Sequence, residues 1–352
     1  MDAAPVTLHN VNGSDVAHAG AAGNGDARLK QLLGQVYRPI RQPMQQVEDL
    51  LTRQLQSPYE SMNPLLCHGT QLGGKRLRPA MLLLSGLNFG PLTDAHLRMA
   101  VVIEMIHTAT LIHDDVLDEA TVRRRVPTVN ARWNDHVSIL FGDYLFSQSF
   151  RLAAEIGSIE ACQWIGEASR LVCEGELRQV LGRDWLQIDE DAYFDMIQGK
   201  TAELCRVATQ LGARLSGADD DAVDAMARYG EAVGMAFQIA DDYLDLWGDD
   251  ATVGKTLGTD LQQGKLTLPV IRMLQQAEPV DRERLQAVLS GPPEQRFDGI
   301  RDDLMSGDAA EYTRQVASRF RDQAIEAVHS VQASSVSDSL VQIARFAVQR
   351  RF

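Results

Sequence analysis

Two stretches of this 352-residue chain place carboxylates where they could work together: His113-Asp114-Asp115-Val116-Leu117-Asp118 and Ala240-Asp241-Asp242-Tyr243-Leu244-Asp245. On a helix, residues i and i+4 share a face, so Asp114 points with Asp118, and Asp241 with Asp245. Four residues rise only ~6 Å along the axis, which lets one such pair bracket a cation. Both stretches lie in apolar sequence, where an uncompensated carboxylate is costly and a bound hard cation removes the cost. An all-oxygen set suits Mg2+, an ion that keeps several waters and shares its shell with substrate phosphates. Asp114, Asp118, Asp241, Asp242 and Asp245 are therefore the candidate metal ligands. One DDxxD alone is often just a solvated helix face; two in apolar surroundings argue for a shared cation site.

The lysines form the complementary pattern. The chain has five lysines against twenty-nine arginines. Apart from Lys30, each follows glycine: Gly74-Lys75, Gly199-Lys200, Gly254-Lys255 and Gly264-Lys265. Lysine is a compact point charge, and glycine lets backbone approach a bulky anion, so the pairs suit phosphate. The competing explanation is a set of helix-ending glycines with chance neighbours. None is a nucleotide-binding P-loop: Phe194 stands where that motif needs glycine before Gly199, and Gly248 is one residue too far from Gly254.

The elements that must carry these groups read as helices. Apolar residues recur at three- and four-residue steps, as in Met99, Val102, Ile103 and Ile106, and again in Leu145, Phe146, Phe150 and Ala153. Alanine is abundant and alternating runs are scarce, so we expect an all-α fold with no sheet. Ser57-Pro58, Asn88 to Pro91 and Gly291-Pro292-Pro293 are turn signals between helices. No linker divides residues 28–352, which we read as one domain. Residues 1–27 are poor in large apolar side chains and read as a disordered tail, not as a signal or transit peptide. Cys67, Cys162, Cys173 and Cys205 show no metal-like spacing and read as reduced core thiols of a cytoplasmic protein. The longest apolar run, Arg98 to His113, is interrupted by Glu104 and His107, so no transmembrane segment is expected. A net charge of −14 argues against nucleic acid as a partner and against simple attraction to anionic lipid.

Taken together, the motifs resemble the polyprenyl synthase family of trans-isoprenyl diphosphate synthases, over roughly Leu29 to Phe352. They are GGKRLRP (Gly73 to Pro79), HTATLIHDDVLDEATVRR (His107 to Arg124), PTVN (Pro127 to Asn130) and GDYLF (Gly142 to Phe146). GKTAEL (Gly199 to Leu204), FQIADDYLD (Phe237 to Asp245) and GKTLGTDLQQGKLTLP (Gly254 to Pro269) complete the set. Where the family usually shows RRG after the first acid motif, this chain has Arg123-Arg124-Arg125.

The resemblance implies a single-domain isoprenoid-synthase helical bundle around a central cavity, acting as a homodimer. It implies a Mg2+-dependent condensation of an allylic diphosphate with isopentenyl diphosphate. In that scheme Lys75, Arg78, His107 and Arg124 bind isopentenyl diphosphate. Arg123, Lys200, Thr201, Gln238, Lys255 and Lys265 hold the allylic diphosphate, with Lys200, Thr201 and Gln238 nearest the reacting carbon. Asp245 would act on its metal through water. Terpene cyclases would not need GGKRLRP, and non-catalytic subunits tend to lose the aspartates or lysine that are kept here. Ala109 and Thr110, five and four residues before Asp114, sit about one helical turn below it. Short-product relatives place bulky aromatics there, so two small side chains imply an open tunnel and a long product, with quinone side chains as its destination. A shorter farnesyl- or geranylgeranyl-length product, or a subunit of a heteromeric synthase, is the alternative.

Overall fold

Polar side chains at helix starts fix much of the architecture in this computed structural model, which describes residues 31–72, 74–123, 126–181, 185–248 and 257–349. Asn134 Oδ1 accepts from the Val137 amide at 2.9 Å, and Asp219 Oδ1 from the Ala222 amide at 2.9 Å. Each satisfies an amide that the first helical turn would leave without a partner. Thr93 and His96 close a reciprocal cap of the same kind.

The helices used below are α1 (Arg41–Gln54), α2 (Leu77–Phe89), α3 (Asp94–Leu117), α4 (Asp135–Ala154), α5 (Ile159–Leu181), α6 (Glu203–Leu215), α7 (Asp220–Trp247), α8 (Leu268–Gln276), α9 (Ala309–His329) and α10 (Ser337–Val348). Helix α3 is apolar nearly all round, with Met99 to Ile103, Met105, Ile106, Ala109 and Ile112 buried. Such a helix belongs in the middle of a bundle. It packs on α4, α1, α2 and α6, while α7 packs on α6, α9 and α10. By length and composition α3 could also cross a membrane, but 67% of its apolar window is buried inside the protein, as in a core helix.

The all-α expectation holds, with one addition. Val122–Arg123 and Val126–Pro127 pair antiparallel as a minimal hairpin, the only strand pairing among the described residues. Thr128 and Asn130 secure it: Thr128 Oγ1 donates to Ala120 O at 2.7 Å, and Asn130 Nδ2 to the same oxygen at 3.0 Å.

Two expectations need correcting. All four cysteines are free, but only Cys205 is buried, whereas Cys67 and Cys173 are exposed. Phe150 is not a core residue either. With Ile139 and Leu140 it forms an exposed apolar face on α4, while Leu145 and Ala153 carry the buried face.

Candidate active site

The two acid motifs come at the C-terminal ends of the two long helices. Asp118 ends α3, its amide bonded to Asp114 O at 2.8 Å, and Asp245 lies two residues before the end of α7. A helix C-terminus already carries negative partial charge, so carboxylates there compound an anionic field that only cations relieve. Lys265 joins the two ends. Its Nζ lies 2.8 Å from Asp118 Oδ1, and its amide donates to Asp260 O at 2.8 Å. Asp245 holds that loop in place by accepting from the Thr259 amide at 3.1 Å and the Asp260 amide at 3.2 Å.

Asp114 sits in surroundings that disfavour its charge. Burial raises its pKa from 3.8 to about 6; Glu176 and Asp118 push the same way, and Lys200 and Arg123 oppose. A group in that state is short of positive charge. Among the described residues no three acid, histidine or cysteine side chains converge into a closed metal cage. That arrangement fits an ion such as Mg2+, which takes one or two carboxylates and fills its remaining positions with water and phosphate oxygens. Asp114, Asp118 and Asp241 fit as donors. Asp242, expected with them, is turned elsewhere. It is 3% exposed; its Oδ2 accepts from Tyr193 Oη at 2.5 Å and its Oδ1 from Gln238 Nε2 at 2.7 Å. Burial drives its pKa well up.

Gln238 passes this order on, since its Oε1 accepts from Thr201 Oγ1 at 2.8 Å. Thr201 and Lys200 sit in a π turn, Gln198–Ala202, between the helix Glu190–Ile197 and α6. Its signature is the Glu203 amide bonding to Gln198 O, one residue farther back than an α-helix allows. Close neighbours leave the turn little freedom. A Cβ on Gly234 of α7 would lie 2.5 Å from Ala202 Cα, and one on Gly175 of α5 would lie 3.0 Å from the Lys200 amide nitrogen. Lys200 Nζ then meets Glu176 Oε2 at 2.6 Å and Gln179 Oε1 at 3.0 Å. Burial opposes its charge, but Asp114 and Glu176 outweigh that and raise its pKa. Arg123 of the hairpin pairs with Asp115, itself 1% exposed, at 2.7 Å.

The second basic group is separate. Arg78 Nη1 lies 3.1 Å from His107 Nε2, and Arg78 Nε is buried with no acceptor among the described residues. Lys75 is exposed, and its Nζ stands 5.1 Å above the Phe346 ring of α10. Arg124, Arg125 and Lys255 lie outside the described residues. Ala109 is 0% exposed, and Thr110 is partly exposed with its hydroxyl donating to His107 O at 2.8 Å. Sequence reasoning missed Glu176, Gln179 and Tyr193. The first two stand three residues apart on α5 and so share a face, the one available signal.

Known proteins resemble this chain in sequence and in fold. The polyprenyl synthetase family matches residues 60–301. Octaprenyl diphosphate synthase of Escherichia coli is 33% identical over 310 residues, 88% of this chain and 96% of that protein. The crystal structure of a decaprenyl diphosphate synthase from Rhodobacter capsulatus superposes with a TM-score of 0.85 at 34% identity, covering 90% of this chain and 99% of that one. A polyprenyl synthase from Caulobacter crescentus, complexed with calcium and isoprenyl diphosphate, gives a TM-score of 0.84 at 34% identity, covering 91% and 98%.

Proposed function

Because the chain belongs to the polyprenyl synthetase family, we propose that it builds a long-chain polyprenyl diphosphate from an allylic diphosphate and successive isopentenyl diphosphates. The observation that carries the reading is two acid helix ends joined by the Lys265 loop, with Lys200 and Lys265 beside the first, set apart from a second basic group on α2 and α3. Two anionic substrates need two such places.

The reaction breaks the allylic carbon–oxygen bond, leaving an allylic cation and diphosphate. The isopentenyl double bond attacks that cation, and loss of a proton gives an allylic diphosphate five carbons longer. Mg2+, when bound by Asp114, Asp118 and Asp241, supplies Lewis-acid neutralisation of the leaving diphosphate. The chain's fixed cations add to this. Lys200 and Lys265, with Arg123, face the departing charge, where preorganised donors lower the barrier most, and the family resemblance adds Lys255 to the set. Thr201 is oriented by Gln238, and Gln238 by Asp242, which Tyr193 holds in turn, so the hydroxyl meets the reacting end in one orientation. We reassign Asp242 from ligand to positioning group, because both its oxygens are already engaged. Asp245, whose carboxylate caps the loop before Lys265, acts on the metal at most through water. Lys75, Arg78, His107 and Arg124 hold isopentenyl diphosphate with its double bond against the cation. No side chain in the set is placed as a dedicated base, and the released diphosphate takes the proton.

Product length rests on α3. Ala109 and Thr110 are small, and Thr110 spends its hydroxyl on its own helix. Quinone side chains are the destination that suits a long product, made by a cytoplasmic homodimer. The exposed Ile139, Leu140 and Phe150 on α4 supply an apolar face for a second copy.

The test is purified protein with Mg2+, farnesyl diphosphate and labelled isopentenyl diphosphate, with product length read by chromatography. Chains beyond geranylgeranyl are expected. Ala109→Phe should stop at farnesyl or geranylgeranyl, since overpacking costs a passing tail at least ~1–3 kcal/mol. Wild-type product ending at farnesyl overturns the open tunnel.

A further inference from the structure

Arg76 interrupts the strip that carries Lys75 and Arg78, and it does so at a conformational cost. It is the residue before α2, with φ 52 and ψ 40, a left-handed backbone rarely adopted by residues with a side chain. Its guanidinium does not face an open pocket. Nε and Nη2 hold both oxygens of Glu48 on α1, at 2.7 and 3.2 Å, and Nη1 donates to Glu104 on α3 at 2.6 Å. Nη2 also reaches Thr70 O at 3.4 Å. Glu104 is 2% exposed, and a carboxylate so deeply buried needs a bonded cation.

Two carboxylates against one guanidinium leave this cluster with no positive charge to offer a diphosphate. Its product is geometry. Glu104 and His107 are one turn apart on α3; Arg76 grips the first and Arg78 meets the second at 3.1 Å. Tyr37 Oη fixes the other side by donating to Lys75 O at 2.8 Å. Were Arg76 right-handed, α2 would start a residue earlier and Lys75 would leave the helix in a different direction. The left-handed turn, clamped by two acids from two helices, keeps Lys75 outside the helix while Arg78 lies in its first turn.

We infer that Arg76, clamped by Glu48 and Glu104, is a positioning residue that sets the spacing of Lys75 and Arg78 in the isopentenyl diphosphate pocket. The inference rests on the reading of that pocket given above, and it concerns a residue that touches neither substrate.

Steady-state kinetics with each substrate varied in turn, alongside thermal melting, tests it. Arg76→Gln should raise KM for isopentenyl diphosphate about tenfold, the scale of a binding group moved by a fraction of an ångström, with KM for the allylic diphosphate and kcat within about twofold. Glu48→Gln, at the more exposed arm of the clamp, keeps the fold and gives a smaller rise, about threefold, in the same constant. Glu104→Gln keeps shape and an acceptor and falls between the two. If Arg76→Gln does not fold, Glu48→Gln decides. Folded variants with unchanged KM for isopentenyl diphosphate, or with both KM values rising together, overturn the inference. Wild-type protein that condenses nothing overturns the proposed function instead.

Discussion

The two DDxxD motifs are alike in sequence and differently supported. In both, the middle aspartate is buried and the flanking pair is left toward the site. The first motif is met by cations: Arg123 on Asp115, Lys265 on Asp118, and Lys200 influencing Asp114. The second is held by neutral donors: Tyr193 and Gln238 on Asp242, backbone amides on Asp245. Among the described residues, the first motif is thus partly neutralised by side-chain cations, and the contacts on Asp242 and Asp245 orient the second. The same five-residue pattern can be a charge-matched site or a hydrogen-bonded scaffold, and the partners, not the motif, decide which.

The largest expected effect tests the part they share. Asp114→Ala and Asp241→Ala should each cost roughly 4 kcal/mol of transition-state stabilisation, about 10³-fold in rate, measured as kcat/KM across a Mg2+ titration. Near-normal turnover in either would remove that motif from the metal site.

The next effect concerns protons. The folded chain keeps the Asp114 proton up to about pH 6, whereas the unfolded chain loses it near 3.8. The folded state therefore binds more protons in that window, and stability falls as pH rises through it. The fall is up to roughly 3 kcal/mol, less what solvent screening removes. Melting curves of metal-free protein should show this slope, and Asp114→Asn should flatten it.

A contrast between the middle aspartates comes third. Asp115→Asn strands the Arg123 guanidinium, a quarter of which is exposed, and should cost about 2 kcal/mol in denaturant unfolding. Asp242→Asn removes a carboxyl that burial already disfavours as an anion, so its stability should change by less than about 1 kcal/mol. Equal losses would erase the distinction. Last, Tyr193→Phe deletes one hydroxyl and should cost no more than about 1 kcal/mol, with a drop in kcat as Asp242, and through it Gln238, loses its fixed orientation, and little change in either KM.

The parts legible in the sequence were those written in local spacing. Asp114 with Asp118 and Asp241 with Asp245 follow from the four-residue helical repeat. Glycine before lysine signalled phosphate chemistry, and two of the lysines, Lys200 and Lys265, do stand at the acid site. What stayed hidden was long-range pairing. Asp242 looks like its neighbours in the sequence, and it is Tyr193, forty-nine residues upstream, together with Gln238 that shows both its oxygens occupied. Glu176 reads as one acid among many on a charged helix until the π turn brings Lys200 against it. Phe150 keeps helical register with Phe146 and Ala153 yet faces outward, because periodicity locates stripes and does not say which stripe is covered.

The π turn at Gln198–Ala202 has a consequence for how this chain can change over generations. One extra residue is accommodated within a helix that otherwise continues from Glu190 to Leu215. Deleting a single codon there would leave a sequence still able to form an uninterrupted helix, but everything downstream would turn by about 100° relative to everything upstream. Lys200 and Thr201 could no longer both face the site, and Gly234 would meet a different side chain. Single-residue replacements along this helix are open to gradual drift; single-residue length changes at this one place are not.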